Sequence, residues 1–241
     1  MKKSKYIDNY KNDYYSKLGN FSKRIKSELT VLLYHGVTDY KSYGIENISK
    51  KHISKQNFYA QMDYLANNCN VISMDDVVSY KKNMEPYPPK SVVITFDDGF
   101  ANNYDTAAPI LKEFQISATF YFSSGLINSN NMFWTDIIED CLNRTSKQLI
   151  SIRFYSDEKT FSLSTNEEKT KALLNIKGFC KASDKHIKDK IIQQLIEQTD
   201  IIPDPDFSPN YKTLSWEQVK LLNEDPLFTV GGHSMYHDIL S

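Results

Sequence analysis

The sequence predicts an α/β fold built on a parallel sheet, and three observations predict it. Short apolar runs without alternation recur along the chain, as at Thr30–Tyr34 and Ser91–Phe96, and such runs suit strands covered on both faces. Segments of helical periodicity separate them, giving β-α-β-α-β-α-β over roughly residues 30–122. Two of the runs end in residues that carry chemistry, Asp97-Asp98-Gly99 and Gly231-Gly232-His233, and parallel folds build their sites at strand carboxyl ends. The alternation itself leaves an open sheet and a closed barrel equally available.

In chain order, Thr30–Tyr34 is the first strand and ends at His35-Gly36. A helix follows over 54–68, with Ser54 as its N-cap and Phe58, Met62 and Leu65 on one face. Val71–Ser73 is a brief strand, and Ser73 caps the next helix with Asp75 and Asp76 in the first turn. Pro86-Tyr87-Pro88-Pro89 breaks that helix before the strand Ser91–Phe96. A helix over 102–115 restarts at Pro109, and Ser117–Phe122 is the next strand. Residues 128–212 then interrupt the rhythm as a mainly helical insertion. It holds a helix from Phe133-Trp134 to Leu142, a hairpin near 149–163 and helices over 167–180 and 184–199. A helix over 215–223 capped by Ser215 leads to the strand Leu227–Val230. The domain is expected over 30–241, preceded by a polar lead-in over 1–29.

Composition narrows the class. The 241 residues include 40% apolar and 24% charged residues with a net charge of −1, so no nucleic-acid footprint is expected. Three scattered cysteines, Cys69, Cys141 and Cys180, make no C-x-x-C pair and argue against a cysteine metal site or a disulfide framework. The basic N-terminus lacks an apolar h-region, and no run reaches the roughly 18 residues of a membrane span. A cytoplasmic protein is therefore expected.

The chemistry-bearing residues stand at two strand ends. Carboxylates beside a buried strand are costly unless a cation or hydrogen bonds offset them, which makes Asp97 and Asp98 notable. Gly99 permits a sharp turn or a close approach. His233 and His237, two of only five histidines, would share a face if their segment were helical, and two histidines with a carboxylate form a catalytic zinc set with an open position. Taken singly, an Asp-Asp pair also caps helices and an H-x-x-x-H also occurs by coincidence on surfaces. Their joint placement at strand ends favours a site. His52 and His186 lie among polar residues and receive no role. The rings of Phe133 and Trp134 suit core packing better than sugar stacking.

Thr95-Phe96-Asp97-Asp98-Gly99 resembles the T-F-D-D-G signature of the polysaccharide deacetylases, the NodB-like carbohydrate esterases, and His233-Ser234-x-x-His237 resembles their H-S/T-x-x-H motif. Ala107–Leu111 and Ile116–Tyr121 are similar as well, and Tyr34-His35-Gly36-Val37 resembles the Y-H-x-V segment of a subgroup that includes poly-N-acetylglucosamine deacetylases. The resemblance implies a distorted (β/α) barrel. It implies Asp97 as general base, His35 as catalytic acid, and Asp98, His233 and His237 as ligands of a divalent metal, zinc before cobalt or nickel. The implied reaction is hydrolysis of N-acetyl groups on N-acetylhexosamine units of a surface polysaccharide or its precursor. Five strands, against about seven in the family, and a stop at Ser241 lead to the expectation of an incomplete barrel lacking a C-terminal portion. The alternatives are an inactive remnant and a glycan-binding domain without turnover. A metallophosphoesterase would gather more carboxylates around two metals.

Overall fold

The computed structural model describes residues 21, 23, 25 and 28–238, so most of the expected lead-in and the last three residues lie outside the described residues. Strand β1 (Leu29–Tyr34) runs into a short β2 (Gly36–Thr38), and β3 (His52–Ser54) leads directly into helix α1 (Lys55–Asn68). Ser54 caps α1 by accepting from the Asn57 amide, and Phe58, Met62 and Leu65 form its buried face, as the spacing predicts. Next come β4 (Asn70–Val71), α2 (Met74–Asn83) and β5 (Ser91–Phe96). Ser73 and Asp76 close a reciprocal capping box at the start of α2. The predicted helix over 102–115 is divided. A π-helical turn, Asn103–Ala107, precedes α3 (Ala108–Glu113), whose first turn accommodates Pro109. Strand β6 (Ala118–Phe122) follows.

The predicted insertion holds α4 (Trp134–Arg144), an antiparallel hairpin of β7 (Leu149–Phe154) and β8 (Asp157–Ser162), then α5 (Asn166–Ala182) and α6 (Lys185–Thr199). Helix α7 (Trp216–Glu224), with a capping box between Ser215 and Gln218, returns the chain to β9 (Phe228–Gly232).

Among the described residues the main sheet has five parallel strands in the order β1-β5-β6-β9, with β4 beside the N-terminal half of β5. These are the five strands expected from sequence. The parallel pair β2 and β3 was not anticipated, since runs of three residues carry too little pattern to read. All six residues of β5 are buried, which explains its unbroken apolar character. One hydrophobic cluster lies between sheet and helices, joining Ile94, Phe96 and Phe120 to Phe58, Leu111 and Leu222. Phe21, within the segment read as a polar lead-in, packs edge-on against Tyr64 of α1. A second cluster joins the insertion's own elements through Ile138, Leu142, Ile152, Leu173, Ile176 and Leu195. Cys141 and Cys180 are buried in that cluster, Cys69 is half-buried at the end of α1, and all three thiols are free. Among the described residues no helix is long and apolar enough to cross a membrane.

Candidate metal centre

Strand register assembles the site. Tyr34 of β1 pairs with Phe96 of β5, Phe96 with Phe120 of β6, and Phe120 with Val230 of β9. The residues that follow β1, β5 and β9 are His35, Asp97-Asp98 and His233, so the sheet delivers all of them to one edge. The Asp97 amide donates to the Tyr34 carbonyl at 2.9 Å and extends the pairing past the end of β5.

Backbone geometry then turns Asp98 inward. Asp98 has φ of 76° and Gly99 φ of 90°, both in the left-handed region. A Cβ on Gly99 would meet the Phe122 Cβ at 2.5 Å, so the close approach expected at this glycine is present. The Asp98 carbonyl accepts from the Ser123 amide at 3.0 Å, and the Gly99 carbonyl accepts from the Leu214 amide at 2.9 Å. A non-glycine residue held at positive φ is a strain that site geometry often retains.

The Asp98, His233 and His237 donor atoms lie within 4.8 Å of one another. Asp98 Oδ1 is 3.6 Å from His233 Nε2 and 3.3 Å from His237 Nε2. The oxygen is buried and has no hydrogen-bond partner among the described residues. Tetrahedral zinc with bonds of about 2.0–2.2 Å separates its ligand atoms by about 3.3 Å, so these three donors fit one small cation. An orphaned buried carboxylate oxygen is costly in an apolar setting, and a bound cation removes that cost.

The two histidines do not reach each other along a helix. Residues 233–238 form a bend, and the conditional same-face expectation gives way to a turn held by backbone bonds. The His233 amide donates to the Phe122 carbonyl at 2.9 Å, and Ser123 Oγ donates to the His233 carbonyl at 2.9 Å. The Gly125 amide donates to the Met235 carbonyl at 2.8 Å, and the His237 amide donates to Ser234 Oγ at 3.0 Å. The rings of His233 and His237 end 5.5 Å apart. Burial lowers the pKa of His237 against the opposing pull of Asp98, with His233, Lys51 and His35 adding to the fall, which favours the neutral imidazole a metal requires.

Asp97 is half-buried beside this cluster. Burial raises its carboxyl above the usual range and the Asp98 carboxylate adds to that, while positive charge on His233, His35 or His237 pulls it down. His35 therefore belongs to the same electrostatic neighbourhood. His52, given no role from its polar neighbours in sequence, is 4% exposed and lies beneath the turn that carries His35. Its Nδ1 pairs with Asn102 Nδ2 at 3.0 Å, and Asn102 Oδ1 accepts from the Val37 amide at 3.3 Å. No spacing in the sequence announces His52, Asn102 or Ser123, because each acts through a partner at least 50 residues distant. Phe133 and Trp134 are 2% and 7% exposed and serve the core, as expected.

Parallel strands that place two imidazoles and a carboxylate at one edge, with a second carboxylate alongside, present the donor set that a metal-assisted hydrolase site requires. The family model described as polysaccharide deacetylase matches residues 84–241, and the chain belongs to that family. A poly-beta-1,6-N-acetyl-D-glucosamine N-deacetylase of Staphylococcus epidermidis is 32% identical over 89 residues, covering 36% of this chain and 30% of that protein. Its Staphylococcus aureus counterpart is 30% identical over 94 residues, 39% of this chain and 32% of that one. Among solved structures, IcaB from Ammonifex degensii aligns with a TM-score of 0.47 at 19% identity, over 87% of this chain and 54% of that one. The matches span about a third of the curated relatives' length and about half of the solved neighbour.

Proposed function

We propose that the protein hydrolyses N-acetyl groups from N-acetylhexosamine units of a bacterial surface polysaccharide or its precursor, of the poly-β-1,6-N-acetylglucosamine kind. The observation that carries this reading is the buried, unpartnered Asp98 Oδ1 facing two imidazoles, with the spare Asp97 carboxylate beside it. Family membership and the staphylococcal relatives supply the substrate class. The parallel sheet is read as the wall of a distorted (β/α) barrel.

Asp98, His233 and His237 would hold a divalent cation, zinc in preference to cobalt or nickel. A cation bound there would supply Lewis-acid chemistry, lowering the pKa of a water and polarising the acetamide carbonyl. The Asp97 carboxylate takes a proton from the attacking water as the water oxygen adds to the carbonyl carbon. His35, on the neighbouring strand end, gives a proton to the departing amine nitrogen, for which an imidazole suits neutral pH. Acetate and a free amino sugar result.

Purified protein with added Zn²⁺ or Co²⁺ should release acetate from N-acetylglucosamine oligomers. Asp97→Asn should reduce the rate by about a hundredfold to ten-thousandfold, the usual contribution of a positioned base, and should leave bound metal unchanged. Absence of acetate from folded, metal-loaded wild type across β-1,6 and β-1,4 oligomers would refute the proposal.

A further inference from the structure

On the reading of Asp98, His233 and His237 as a metal centre, His237 needs a support that strand β9 does not give it. His233 follows β9 directly and is fixed by the Phe122 carbonyl and the Ser123 hydroxyl. His237 lies beyond the strand, at φ of 54°, and its Nδ1 is buried with no partner among the described residues. Ligating histidines ordinarily have the second ring nitrogen fixed by a hydrogen bond that orients the ring. The orientation of His237 must come from elsewhere.

The next residue supplies an anchor. Asp238 Oδ1 accepts from Lys188 Nζ at 3.0 Å, and Asp238 Oδ2 accepts from Lys185 Nζ at 3.0 Å. Both lysines lie on α6 of the helical insertion, one turn apart. The Lys188 side chain is only 7% exposed and its ammonium stands 5.6 Å from the Trp134 ring centre. A lysine so buried needs a counter-charge, and Asp238 provides it. Lys185 also lies 5.4 Å from the Tyr236 ring centre, and Phe133 packs edge-on against His237 at 5.5 Å. The insertion thus grips residues on both sides of the ligand.

We propose that Lys188 and Lys185 are positioning residues which, by clasping Asp238, hold the His237 imidazole in ligating geometry and couple the helical insertion to metal affinity. The test uses the full chain with Co²⁺ as the probe. Affinity is read by competition with a chelator, ligand geometry by the visible absorption of bound cobalt, and folding by circular dichroism. Asp238→Asn and the Lys185→Met/Lys188→Met pair should bind Co²⁺ about 10- to 100-fold more weakly, the usual effect of losing an outer support, with a changed absorption band. Lys188→Arg, which keeps the charge, should restore most of the affinity relative to Lys188→Met. Wild-type affinity and an unchanged band in folded Asp238→Asn would overturn the proposal and leave the metal centre standing. Should the double lysine variant fail to fold, Asp238→Asn alone decides, because it removes the charge from a carboxylate that is already one-third exposed. Wild type that takes up no Co²⁺ would overturn both the clasp and the centre it serves.

Discussion

Gly36 shows how one missing side chain sets a site. A Cβ there would meet His52 Nδ1 at 2.0 Å and Asn102 Oδ1 at 2.7 Å, so the turn carrying His35 can settle on the His52–Asn102 pair only as glycine. Burial, followed by the charges of Lys51 and His35, holds the pKa of His52 well below its ordinary 6.5. The unfolded chain therefore binds a proton that the native state refuses. The contribution of His52 to stability is complete above about pH 6.5 and is lost as pH falls towards its native value. Denaturant unfolding at pH 7.5 and 5.5 should show wild type losing up to about 1.4 kcal/mol more across that interval than His52→Gln. Equal losses in the two proteins would remove His52 as the cause. None of this was legible in sequence, where His52 sits among Lys50, Lys51 and Ser54 and these polar neighbours signal no role. Asp97, Asp98 and Gly99 were legible because strand, acids and turn glycine are adjacent in the chain.

Helix starts and buried strands were the best-read elements, because their signals are local. Ser54, Ser73 and Ser215 each cap the helix predicted for them, and β5 runs over the six residues its apolar run marks. The π-helical turn at Asn103–Ala107 has no comparable signal, since the helical periodicity passes through it unchanged. The bend over residues 233–238 was equally hidden: its shape comes from bonds to residues 122–125, more than 100 positions earlier. Helix α7 joins the long excursion back to β9, so its N-terminus is a sensitive place to weaken the delivery of His233. Ser215→Ala removes one half of the capping box and should lower stability by about 0.5–2 kcal/mol in a urea titration. A change confined to a few tenths would mean that the Gln218 side chain holds the turn by itself.

At the scale of the whole molecule, Asp98 and the two imidazoles come from two strand ends far apart in sequence, so a cation held by all three would couple metal binding to folding. Zn²⁺ at one hundred times its dissociation constant should stabilise the native state by about 2.7 kcal/mol, or about 2–4 °C in Tm per kcal/mol for a chain of this size. Asp98→Ala should abolish that zinc-dependent rise in a thermal melt. A rise that persists would locate the zinc elsewhere. Register explains why parallel alternation sufficed to anticipate the edge where these side chains meet, and the separate cluster of the insertion explains why its link to Asp238 was not foreseen: no local pattern relates α6 to a residue 50 positions later.

The distribution of thiols has a practical consequence. Cys141 and Cys180 are sealed inside the helical layer while Cys69 lies half-open at the far end of α1. An alkylating reagent applied to the native protein meets Cys69 first, and burial raises even that thiol's pKa and slows its attack. The other two become reactive only when the layer carrying Lys185 and Lys188 loosens, so the chain contains its own gauge of breathing in the part of the fold that steadies the second imidazole.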